Sequence, residues 1–208
     1  SETKINNFYK DFIKKQYNRE SFLELEFEKN YIRFLMPKIR GSEKGAKKRY
    51  AGLLKEDGKE RIETVGIEAV RADWTEAAQI FQKELLNRIF HKQEISDFVK
   101  KFISDILSGK YDDKLVYRKQ LRKGLTGYAV KTPHLKAAQK LENFEGGIVE
   151  YYMTIDGPEP IQAVKHKLNY DHYIDKQIKP IADMILIFFN LNFDELINGS
   201  KQTKLFSY

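Results

Sequence analysis

Four consecutive residues, Lys47, Lys48, Arg49 and Tyr50, carry the clearest chemistry in this 208-residue sequence. Three cations run into an aromatic and then into Ala51, Gly52, Leu53 and Leu54, so the charge stands at the mouth of something buried. On a strand, Lys48 and Tyr50 share one face and Lys47 and Arg49 the other. A cation able to reach a polyanion groove then lies beside a ring able to anchor it. A second constellation alternates Glu24, Glu26 and Glu28 with Leu23, Leu25 and Phe27. That row is either a solvated strand face or a neighbour of a divalent cation, because hard cations take carboxylate oxygens. A third is Gln202, Thr203, Lys204, Leu205, Phe206 on a polar, mobile tail. Adjacent Leu and Phe there either fold back or dock into a partner's pocket.

Other chemistries find no support. HExxH, GxSxG and GxGxxG are absent, and Gly41 and Gly45 lack the spacing and the Gly-Lys-Ser/Thr ending of a phosphate loop. His166 and His172, near Asp171, read as surface groups and not as a metal site. No two aspartates stand one residue apart on a hairpin, the arrangement with which two-metal nucleotidyl transfer holds its cations. By itself this stretch is expected to catalyse nothing and to hold no cofactor.

Charge is uneven. The chain carries a net +7, yet Arg33–Arg61 holds ten cations against four acids and Lys114–Lys140 eight against none. The remainder is therefore acidic, and two separated positive zones suit one polyanion gripped from two sides. Neither zone has the amphipathic helix that a membrane surface requires. With no cysteine, a hydrophobic fraction of 41% and no long apolar run, the reading is a globular protein of a reducing cytoplasm.

The elements that position these residues follow from periodicity. Asn6–Tyr17 has helical spacing; Leu23–Glu28, Tyr31–Met36, the Lys47 stretch and Arg61–Val65 read as strands, with Asp57-Gly58 as a hairpin turn. Residues 22–66 are thus expected to form an antiparallel sheet. Gly66 breaks the pattern, and a long helix follows, capped by Asp73 with Glu76 completing a capping box. Glu94–Leu107 is a second helix, Leu115–Leu121 either strand or helix, Pro133–Leu141 a short helix and Gly147–Ile155 a strand. Asn169–Phe189 is an amphipathic helix that Pro180 kinks, and Phe193–Ile197 a last helical turn. The fold class is α+β: an antiparallel sheet with a flanking helix, then a mainly helical domain containing a small β element.

Taken together, KKRYAGL (47–53), GIEAVRADW (66–74), LELEFE (23–28), LVYRKQL (115–121), TPHLKAA (132–138), DHYIDKQIKP (171–180) and the closing QTKLF resemble, in order and spacing, the end of the palm and the thumb of B-family DNA polymerases. The bacterial DNA polymerase II branch is the nearest match, chiefly for AKKRYAGLL, VRADWTEAAQ, LVYRKQL and DGPEP. The resemblance implies an antiparallel palm-type sheet in residues 1–70, a thumb in 71–198 and a flexible clamp-binding tail in 199–208. It implies that Lys47, Lys48, Arg49 and Tyr50 meet the primer-template minor groove and backbone, and that Arg71 holds a phosphate at the junction. Arg118, Lys119, Arg122, Lys131 and Lys136 would grip the duplex backbone. Glu26 or Glu28 would be a peripheral carboxylate, and Gln202, Leu205 and Phe206 would insert into a sliding clamp. Where many relatives have an arginine after Arg71, this chain has Ala72.

The resemblance further implies a DNA-directed DNA polymerase parent, nucleoid-associated, whose two Mg2+ and catalytic aspartates belong to sequence before Ser1. The open sheet edge would then invite a second copy. The rival readings are a stand-alone duplex-binding accessory protein with a clamp-binding tail, and an interaction module whose basic zones balance acidic neighbours.

Overall fold

Residues 2–37, 45–46, 48–121, 132–142 and 144–199 are described by a computed structural model. Lys47, Arg122, Lys131, Gln202, Leu205, Phe206 and most of the basic loop before Ala46 lie outside them. The first helix, α1 (Glu2–Tyr17), buries only Asn6 and leaves Phe8, Phe12 and Tyr17 exposed. The strand expected over Leu23–Glu28 is not formed: residues 19–30 pair with no strand. Side chains of α1 take the place of a neighbour. The Asn6 amide donates to Leu25 O and accepts from Leu25 N, both at 2.9 Å, and Glu2 accepts from Phe27 N at 3.2 Å. An asparagine amide has the donor and acceptor of a peptide group, so the alternation of the sequence persists without a ladder.

The sheet is β1 (Tyr31–Leu35), β2 (Tyr50–Glu56) and β3 (Lys59–Val65), antiparallel in the order β1-β2-β3. Asp57 and Gly58 both have positive φ, 50° and 79°, the signature of the tight hairpin turn expected there. Strand β2 begins at Tyr50, later than expected, because Lys48 lies in a turn and Arg49 N–H donates to Ala46 O at 3.1 Å.

Period-2 alternation turns Ala51 and Leu53 toward the helices. They join one core with Ile67 and Ala69, with Phe81, Leu85 and Leu86 of α2 (Glu76–Phe90), and with Phe102 and Ile106 of α3 (Ser96–Leu107). Ile181 and Ile185 of the late helix complete it. The cap of α2 is Thr75, whose hydroxyl accepts from Ala78 N; Asp73, the expected cap, is occupied by Arg71.

Beyond α3, β4 (Tyr117–Leu121), β5 (Gly147–Thr154) and β6 (Gly157–Pro160) form a second antiparallel sheet. Its small core of Leu121, Val149 and Tyr151 packs on α4 (Pro133–Ala138) through Leu135, Ala137 and Ala138. The late helix is not one regular rod. It runs as α5 (Tyr170–Tyr173), a π turn (Ile174–Ile178), α6 (Lys179–Leu186) and a 3-10 turn to Phe189. Pro180 removes an intrahelical donor and crowds the carbonyl four residues earlier, and the wide turn stands beside it. One buried side chain of that turn, Gln177, accepts the Thr75 N–H at 3.0 Å, at the start of α2. The last helix, α7 (Phe193–Asn198), is capped by Asn192.

Candidate nucleic-acid interface

Two places concentrate the candidate cations. At the first, Lys48 is exposed in the turn before β2, and its carbonyl lies against Gly66: a Cβ on Gly66 would come within 2.1 Å of Lys48 O. Gly66 also has φ +62°, so glycine is required there twice over. Arg49 turns the other way. Its guanidinium engages Glu68, a buried carboxylate, and its Nη2 lies 3.4 Å from Met184 Sδ. Tyr50 is half-buried in an aromatic cluster, 6.1 Å from Tyr31 and 5.3 Å from Phe34 between ring centroids.

Tyr31 is set by Gly52, at which a Cβ would come 2.1 Å from the Tyr31 ring. The ring passes over β2, and its hydroxyl donates to Glu63 on β3 at 3.2 Å. Burial leads the effects that hold its phenol well above the ordinary range. Lys29 donates to the same carboxylate at 2.7 Å and keeps Glu63 ionised to lower pH than usual.

At the second place, an open cleft of about 580 Å³ lies between the start of α2 and β4. Ala72, Trp74 and Gln79 line one wall and Arg118, Lys119 and Gln120 the other. Gln79 fixes the first wall by donating to Arg71 O at 2.9 Å. Arg71 itself grips Asp73 with two bonds, Nε to Oδ1 at 3.0 Å and Nη2 to Oδ2 at 2.7 Å. That fork holds the Asp73 carboxyl below its usual range, with a further contribution from the charge of Lys119. Lys114 lies between Glu76 and Asp113, at 3.2 and 3.3 Å. Arg118 is exposed but leans on Glu150 at 2.5 Å, whereas Lys119 has no ion-pair partner among the described residues.

Lys136 projects from the exposed side of α4, between the buried Leu135 and Ala137. Nearby, burial first and then Lys119 push the His134 imidazole toward its neutral form. The fold thus brings Arg118, Lys119 and the segment after Arg71 into one concavity, whose wall does not include Lys48, Arg49 or Tyr50.

Glu26 and Glu28 are exposed on the unpaired segment. Among the described residues only Asp156, Glu159 and His166 bring three ligand atoms within 4.8 Å of one another. Within that trio Glu159 is already engaged: it accepts from Lys165 N at 2.7 Å and His166 N at 3.2 Å and faces His166 Nδ1 at 2.6 Å. The described residues therefore do not fit a two-cation centre. No described helix is long and apolar enough to cross a membrane.

Glu68 and Tyr31 escaped the reading of the sequence, although a lone carboxylate inside the apolar run Ile67-Glu68-Ala69-Val70 is itself a sign of a buried partner.

The family model for DNA polymerase family B matches residues 2–199. DNA polymerase II of Escherichia coli (strain K12) is 40% identical over 207 residues, 94% of this chain and 26% of that protein. DNA polymerase 2 of Aeropyrum pernix is 34% identical over 179 residues, 78% of this chain and 22% of that protein. The family B DNA polymerase from the archaeon Pyrobaculum calidifontis matches in structure with a TM-score of 0.61 at 27% identity, over 86% of this chain and 24% of that one. This chain spans about a quarter of the length of these relatives.

Proposed function

The chain belongs to DNA polymerase family B, and from that membership we propose that it is the duplex-holding part of a DNA-directed DNA polymerase, the end of the palm (1–70) and the thumb (71–198). The observation that carries the reading is the cleft that joins Arg118 and Lys119 to the segment after Arg71. A duplex backbone is a line of phosphates, and the exposed cations of the β4 wall, Arg118 and Lys119, meet it along the cleft. Lys119 and Lys136 offer charges that release counterions on contact, and Arg118 offers one shared with Glu150. Arg71 reaches a phosphate by exchanging it for Asp73. Lys48 and Tyr50 address the minor groove, where acceptors common to all base pairs permit a sequence-blind check of pairing.

When bound, Mg2+ in such an enzyme stabilises the charge of nucleotidyl transfer. The carboxylates that hold it belong, in this proposal, to sequence outside these 208 residues, and the chain alone is inactive. Glu26 or Glu28 stays peripheral. The tail bearing Gln202, Leu205 and Phe206 tethers a sliding clamp.

Titrating a primer-template duplex at several salt concentrations tests the reading. About five phosphate contacts give a log-log slope near −4.5, and a flat response removes it. For the tail, fluorescence anisotropy of a 200–208 peptide against a clamp is the measurement. An affinity weaker than about 1 mM, worth only ~4 kcal/mol, removes the tether.

A further inference from the structure

We infer that Arg49 does not contact the duplex but positions Lys48 and Tyr50, and that its working partner is the buried Glu68. This rests on the duplex-holding reading above. Residue type alone places Arg49 with its basic neighbours, yet the Nη2 of its guanidinium is engaged inside the protein. Only 34% of its side chain is exposed and 9% of that of Glu68. The second Glu68 oxygen accepts from Gln82 Nε2 at 2.9 Å, and Gln82 in turn takes the Ala69 N–H. Since Gln82 is fully buried on α2 and Met184 stands on α6, Arg49 ties the turn before β2 to two helices of the core.

Lys48 is thereby held from both sides. Its carbonyl is pressed on Gly66, and the next side chain is anchored in the acidic niche, while its own side chain stays exposed. Tyr50 leaves the same anchor as the first residue of β2. A cation neutralised by a buried carboxylate holds few counterions, so it has few to release when DNA arrives. An exposed lysine does release them. The two residues are therefore separable by salt.

The experiment uses the full chain and a primer-template duplex, with affinity followed by fluorescence anisotropy across salt. Lys48→Ala should lower both affinity and the magnitude of the log-log slope, the latter by about 0.9. The paired variant Arg49→Met/Glu68→Gln, which leaves no buried charge unmatched, should lose about threefold to tenfold in affinity with an unchanged slope. Combined with Lys48→Ala, it should add less than its own loss, because the part that runs through Lys48 is already gone and only the part through Tyr50 remains. Arg49→Lys should fall between wild type and the paired variant, again without a change of slope, and it serves if the paired variant does not fold.

Two results overturn the inference: a slope reduced by about 0.9 in the Arg49 variants, or a loss that adds in full to that of Lys48→Ala. A wild-type chain whose binding ignores salt removes the duplex-holding reading first, and the inference with it. A loss of affinity with retained slope that shrinks in the Lys48→Ala background is an outcome that simple destabilisation does not produce.

Discussion

The two basic regions are built on opposite plans. Around Lys48 the framework is internal: a glycine contact, an ion pair to a buried carboxylate and an aromatic cluster surround the exposed Lys48. Around Lys119 the cations stand on β4, where the middle residues Arg118, Lys119 and Gln120 are all exposed and the acid paired with Arg118, Glu150, is only half-buried. The first plan suits a contact whose geometry matters, the second a contact that supplies charge. Perturbing the first should change what is held and how well the protein folds. Perturbing the second should change how strongly, and how salt-sensitively, DNA is held.

The sharpest way to break this contrast is Gly66→Ala. A methyl 2.1 Å from the Lys48 carbonyl, on a residue at φ +62°, should cost about 3 kcal/mol, read by denaturant unfolding. A loss under about 0.5 kcal/mol, the range of neutral surface changes, would mean that the turn is not locked.

Acid should act on the second region. Although burial pushes the Glu159 carboxyl up, the N–H of Lys165 and the imidazole and N–H of His166 outweigh it and bring the pKa down to about 2. A depressed carboxylate adds stability that is present above its unfolded value of 4.5 and is lost as pH falls toward about 2. Melting curves across that window should show the loss, and Glu159→Gln should flatten it.

Smaller is Gly52→Ala. The obstructed atom is a side-chain ring, which can swing, so about 1–2 kcal/mol is expected, together with weaker duplex binding as Tyr50 loses its neighbour. Smallest is the contrast within β4: Lys119→Ala should reduce the salt slope by about 0.9, and Arg118→Ala by less, because Glu150 already shares its charge. Equal effects would show that the Glu150 pair opens on binding.

Much of this organisation was legible in the sequence. Asp57-Gly58 marked its hairpin, and the order of motifs the family. What escaped depends on partners distant in the chain. Alternation at 23–28 reports two faces, but whether a ladder forms depends on a neighbour, and Asn6 fills that role from 19 residues away. Asp73 and Thr75 both suit a cap, and only the nearby Arg71 decides between them. Strand β6 hid behind Pro158 and Pro160, residues that a ladder admits only at an edge. Arg49 looked like its neighbours because a triplet of cations cannot say which one a carboxylate at position 68 will draw inward.

The wide turn at 174–178 makes residue count in the late helix a structural variable of its own. Deleting one residue there would let the backbone wind regularly, yet it would also swing everything upstream by about 100°, carrying Gln177 off the Thr75 amide and leaving α2 without that lid. Length changes in this stretch should therefore be tolerated far less well than substitutions, and the irregular winding acts as a counting device that keeps two helices in phase.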